Sequence, residues 1–152
     1  MNNPFYTVCG IVNIDGKILL VRHTYGTAQN RILLPGGFAK EHELPTDAVE
    51  REIFEETGVK TKATALIAMQ FKPDQWCAVF IADYISGTPG SDNHENSEVL
   101  LLTAEQAVSR NDITNTSREI LDAYINNKSG VLTKSDFVPQ STTADKYELF
   151  EV

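Results

Sequence analysis

Gly37-Phe-Ala-Lys-Glu-His-Glu43-Leu-Pro-Thr-Asp-Ala-Val-Glu-Arg51-Glu-Ile-Phe-Glu-Glu-Thr-Gly-Val59 concentrates seven acidic residues around a single arginine. From Pro45 to Thr57 it has no interior glycine, proline stands where a first helical turn tolerates it, and Gly58 stands where a C-terminal cap belongs. A helix over these residues is predicted. Leu44 is a poor N-cap, and Thr46 is the nearest residue able to serve as one. At about 100° per residue, Glu52, Glu55 and Glu56 share one face, because they stand at i, i+3 and i+4. Such neighbours repel by a few tenths of a kcal/mol per pair, and only Arg51, placed four residues from both Asp47 and Glu55, offers local relief. A hard divalent cation would remove the repulsion. Magnesium typically takes one or two carboxylates and keeps waters that reach substrate phosphates. The competing reading is a solvated acidic face, the commoner fate of charged helix surfaces.

Upstream of this helix, residues 7–14 and 17–23 are β-prone runs separated by Asp15-Gly16, a type I′ turn pair, and predict an opening hairpin. Arg31-Ile-Leu-Leu-Pro35 predicts a short strand stopped by proline and Gly36-Gly37, with a loop onward to Leu44. Residues 62–71 and 76–86 predict two strands split by Pro73-Asp74, and another begins near Glu98. The glycine-rich polar stretch 87–97 reads as a loop. A short helix from Thr103, with Glu105 and Gln106 in its first turn, and a longer one over about 117–126 complete a mixed sheet with helices on its faces. Residues 1–130 form the expected domain. Residues 131–152 are a C-terminal extension that reads as a late strand, a homodimer contact or a frayed tail.

The chain has 152 residues, 41% of them hydrophobic, which suits one core. Cys9 and Cys77 show no metal-like or redox spacing and read as small buried hydrophobes in a reducing compartment. No signal-like run and no long apolar window appears, so a soluble cytoplasmic protein without membrane contact is expected. A net charge of −8 disfavours a nucleic-acid polymer as partner. An acidic protein still accepts an anionic small molecule if divalent cations lie between the two sets of charge.

The spacing of glycine, five residues, Glu43, seven residues, then Arg51-Glu52-Ile53-Phe54-Glu55-Glu56-Thr57-Gly58-Val59 resembles the Nudix box at every fixed position. Leu34-Pro35-Gly36 is similar to the family's run into the box. The resemblance implies an α/β fold, a Nudix-like α/β/α sandwich with a mixed β-sheet, and hydrolysis of a phosphoanhydride bond with Mg2+ or Mn2+. It also implies roles by motif position. Glu55 and Glu56 would bind the cation with the main-chain carbonyl of Gly36, and Glu52 would be a further ligand or the general base. Arg51 would hold the carboxylates by ion pairing, while Glu43 would bind metal through water or brace the loop. A divalent cation makes water a usable nucleophile near neutral pH and neutralises charge on the leaving phosphate. Two positions depart from the pattern. Ile32 replaces the usual aromatic, and His42 replaces a glycine, a tolerable change if the backbone there needs positive φ.

Family members often add a loop carboxylate. Glu95 and Glu98 are the candidates, with Glu98 favoured because it enters a strand expected to border the site; the alternative is that both are solvated. Arg22 and Arg31 are candidate fork donors to substrate phosphate, with Gly37 beside them, or are surface arginines. His23 and His94 are read as structural or exposed, and Tyr25, Phe38, Phe71, Trp76 and Tyr84 as aromatics able to stack on a base. The expected substrate is a nucleoside diphosphate linked to another moiety. A nucleoside triphosphate pyrophosphohydrolase that removes non-standard nucleotides is the second reading, and a non-catalytic nucleotide sensor the third.

Overall fold

The computed structural model describes residues 2–126, 130–140 and 142–152. Strands β1 (Asn2–Ile11), β2 (Asn13–Ile14) and β3 (Lys17–His23) lead to β4 (Ile32–Leu33) and β5 (Gly36–Lys40). Helix α1 (Pro45–Thr57) precedes the long hairpin β6 (Lys60–Lys72) and β7 (Gln75–Ser86). After β8 (Asn96–Leu102) come α2 (Ala104–Val108) and α3 (Asn115–Asn126), then β9 (Leu132–Lys134) and β10 (Phe150–Glu151).

Two sheets form. One has the order β10-β9-β6-β7-β1-β5, and the other joins β2, β3 and β4 with β8 paired to β3. The larger sheet is mixed, since β1 runs parallel to β7 and antiparallel to β5. Helix α1 packs on the larger sheet through Ala48, Val49 and Ile53, in a core with Val8, Ala39 and Phe80. Leu121 of α3 and Ala104 and Ala107 of α2 close a second core over Ile18, Leu20 and Ile32 of the smaller sheet. The result is an α/β/α sandwich. Among the described residues, no helix is long and apolar enough to cross a membrane.

Two expectations change. The Asp15-Gly16 turn has positive φ at both residues, 52° and 85°, as a type I′ turn requires. Yet only Asn13 and Ile14 pair with β3, while β1 lies in the other sheet. The run 7–14 therefore switches sheets at Val12, because Val8, Ile11 and Val12 are all buried and a strand buried on both faces fits the sheet centre. The second change is β5, in a stretch expected to be loop. Gly36 makes the strand possible: a Cβ there would stand 2.1 Å from the Val8 carbonyl oxygen and 2.7 Å from Cys9 Cα. The missing side chain lets β5 pair closely with β1. The loop proper then turns at His42, whose φ is 66°.

Helix α1 ends on Gly58, whose φ is 76° and whose N–H donates to the Phe54 carbonyl. Its start has no cap from Leu44. Instead, the Thr46 N–H and hydroxyl donate to the two Glu148 carboxylate oxygens, at 3.3 and 2.8 Å. The C-terminal extension thus reaches the first turn of α1. It also extends the larger sheet, with β9 paired to β6 and Phe150 packed 5.6 Å from the Phe80 ring.

Candidate active site

Helix α1 points Glu52 and Glu56 toward β5, where both are buried, at 8% and 2% exposure. Glu55, on the helix flank, is exposed and accepts from Arg51 Nη1 at 3.2 Å. Shared helical phase thus does not give the three glutamates one environment. The third carboxylate near Glu52 and Glu56 comes from Glu95: one oxygen of each of these residues lies within 4.8 Å of the others. Gly37 borders this cluster, and a Cβ there would sit 2.6 Å from the Glu52 carboxylate. The Gly36 N–H donates to Glu56 Oε1 at 3.3 Å.

Arg51 is the brace. It donates to Glu43 through Nε and Nη2 at 2.8 and 2.9 Å, to Glu52 through Nη1 at 2.9 Å, and to the Phe38 carbonyl at 3.0 Å. Its hydrogen bonds to Glu43 hold Arg51 firmly protonated, and the same contact lowers the Glu43 carboxyl below its ordinary range. Glu43 in turn accepts from the Lys40 N–H at 2.9 Å, tying the loop to the helix.

Electrostatically the site is frustrated. Burial raises the Glu52 carboxyl, against the opposing hydrogen bond from Arg51. Burial, and then the Glu52 charge, push Glu56 up to about 9. Glu56 Oε2 is buried with no hydrogen-bond partner among the described residues. Buried carboxylate oxygens are normally satisfied, so an orphaned one beside two further carboxylates calls for a cation. The donor set is all oxygen, which suits magnesium or manganese.

Glu52, Glu95, Gly36 and Gly37 line a cavity of about 570 Å3 between the sheets, walled also by Thr7, Cys9, His23, Tyr25, Phe38 and Gln75. His23 stacks on Tyr25 with ring centroids 5.2 Å apart, and burial lowers its pKa, keeping it neutral at pH 7. Among the described residues, no lysine or arginine lines this cavity. Arg22 instead bonds Glu98 at 3.0 Å, Asp112 at 3.0 Å and the Asn30 carbonyl at 2.8 Å. Arg31 is exposed and donates to the Ile113 carbonyl at 3.4 Å.

Glu98, the favoured loop acid in the sequence, is therefore the cross-strand partner of Arg22, and Glu95 joins the cluster. The pleat explains it: His23 faces the cavity, so its neighbour Arg22 and the opposed Glu98 face away. Two contributors had no sequence signal. Asn96 is 1% exposed and donates to the Glu56 carbonyl, and Glu148 caps α1 from a distant part of the chain.

The NUDIX domain family matches residues 3–124. The chain belongs to the Nudix family. The acid cluster and its brace lie within the Nudix box and its flanks, except for Glu95. An ADP-ribose pyrophosphatase of Methanocaldococcus jannaschii is 37% identical over 91 residues, covering 56% of this chain and 54% of the relative. The chain thus spans about half the length of that curated relative. A Nudix hydrolase of Nitrosomonas europaea superposes with a TM-score of 0.73 at 26% identity, over 84% of this chain and 73% of that one. A UDP-X diphosphatase superposes with a TM-score of 0.63 at 27% identity, over 84% and 65%.

Proposed function

We propose that this Nudix protein hydrolyses the phosphoanhydride bond of a nucleoside diphosphate linked to a second moiety, with magnesium or manganese held by Glu52, Glu56 and Glu95. The observation that carries the reading is the buried, unpartnered Glu56 oxygen beside two other carboxylates. A cation bound there would polarise the phosphoanhydride, generate the nucleophile from water and offset charge on the leaving phosphate. The protein's own groups orient. Arg51 holds one oxygen of Glu52, so the other is left to bind the ion or to take a proton. Glu43 keeps Arg51 in place, and Gly37 leaves the space that the Glu52 carboxylate occupies.

Substrate class follows from charge. Among the described residues no lysine or arginine lines the cavity wall, so the cation would neutralise bound phosphates. A diphosphate esterified at both ends lacks the terminal phosphate dianion of a nucleoside triphosphate, so it fits this wall better. Two relatives named for such substrates, the ADP-ribose pyrophosphatase and the UDP-X diphosphatase, support the same class.

The test is a panel of ADP-ribose, nucleotide sugars, dinucleotides and nucleoside triphosphates with magnesium or manganese, the products identified by mass. A nucleoside monophosphate plus a phosphorylated moiety is expected. Higher kcat/KM on triphosphates, with pyrophosphate released, would overturn the substrate class. No product from any member would overturn the enzymatic reading.

A further inference from the structure

Glu95 is the weak corner of the cluster. It is exposed and loop-borne, and it faces two other carboxylates, so both chain entropy and like-charge repulsion oppose its position. One buried side chain counters this. Asn96 Nδ2 donates to the Glu56 carbonyl at 2.9 Å, and its Oδ1 accepts from the Ser91 hydroxyl at 2.6 Å. The Glu56 carbonyl is among the last four of α1 and has no intrahelical donor, so the amide satisfies an orphaned group as it joins loop to helix. The main chain beside Glu95 is held from the other side, by the Thr24 N–H at 3.2 Å and by the Thr24 hydroxyl on the His94 carbonyl at 2.9 Å.

The strand register makes this contact possible. Arg22 opposes Glu98 but His23 opposes Asn96, which leaves Ser97 as an extra residue. A bulge of this kind re-aims side chains. Here it accompanies Asn96 turned onto α1, while Glu98 stays on Arg22.

We infer that Asn96 is the positioning residue of the acid cluster: it pins the 91–96 loop to the last turn of α1 and thereby holds the Glu95 carboxylate against Glu52 and Glu56. The inference rests on the cation reading above, and metal binding measured directly separates the two. Manganese is titrated calorimetrically into the parent, Glu56→Gln, Glu95→Gln, Asn96→Ala and the Glu95→Gln/Asn96→Ala double variant, with folding checked by thermal melting.

Removing a group that orients a ligand typically weakens metal affinity about tenfold or more. Asn96→Ala is expected to reproduce the loss seen in Glu95→Gln, and the double variant to bind no more weakly than Glu95→Gln alone. A purely structural asparagine would give losses that multiply in the double variant. That outcome, or parental affinity in Asn96→Ala beside a weakened Glu95→Gln, overturns the role of Asn96 and leaves the cation site standing. Parental affinity in both Glu56→Gln and Glu95→Gln overturns the cation site itself. If Asn96→Ala fails to fold, Ser91→Ala removes the other hydrogen bond of the amide and carries the same comparison, with a smaller loss expected.

Discussion

Glu56→Gln should stabilise the metal-free protein and the gain should grow with pH. The Glu56 carboxyl is pushed up to about 9 from 4.5 by burial and by its neighbour Glu52. Between those values the native state binds one proton more than the unfolded chain, so raising the pH destabilises it, by about 1.4 kcal/mol per unit at the steepest. Its contribution is fully present below pH 4.5, falls through neutrality and levels above about 9. By pH 7 the loss is on the order of 3 kcal/mol, or about 6–12 °C in melting temperature for a domain of this size. Glutamine has the same shape and no such titration. In EDTA, parent and variant should therefore melt together near about pH 4.5 and diverge toward about pH 9, the variant being the more stable. Magnesium should reverse the order, since ion binding displaces the proton and tightens about tenfold per pH unit below 9 in the parent only. A difference between the two proteins that stays flat with pH in EDTA would refute this account of Glu56, as would equal stabilisation of both by magnesium.

Three further outcomes are expected. Glu95→Gln should lower kcat/KM by at least roughly tenfold, and Glu98→Gln, whose partner is the remote Arg22, should stay within about twofold in the same steady-state assay. Gly37→Ala should weaken magnesium binding by about tenfold, because its Cβ would displace the Glu52 carboxylate. By contrast, Gly16→Ala, with open space but positive φ, should cost about 1 kcal/mol in urea denaturation and leave metal affinity unchanged. Glu148→Ala should uncap α1 and lower stability by about 1 kcal/mol, or roughly 2–4 °C, with Glu148→Gln retaining part of the cap.

The helix and its charged face were legible because the determinants are local. Pro45, Gly58 and the i, i+3, i+4 spacing of Glu52, Glu55 and Glu56 each act within a turn or two of backbone. The β6–β7 hairpin and the Thr103–Gln106 capping box were readable for the same reason. Strand β5 was not, since Gly36-Gly37 signals a break in isolation and becomes a strand only with β1 alongside to approach. The sheet change at Val12 was hidden too, because alternation shows which residues are buried but not against which sheet.

The family, the α/β class and the concentration of carboxylates around one arginine on one helix are all matters of spacing along a continuous segment, and spacing is visible in a linear chain. Tertiary structure alone decided which carboxylates meet. It left Glu55 in solvent on Arg51, buried one oxygen of Glu56 with no hydrogen-bond partner among the described residues, and set Glu95 in the cluster while Glu98, beyond a strand bulge, stays on Arg22. It also brought Glu148 to the start of a helix about a hundred residues earlier. The physical reason is common to all of these: burial and hydrogen-bond completion depend on what another part of the chain places alongside, and no local pattern encodes that neighbour.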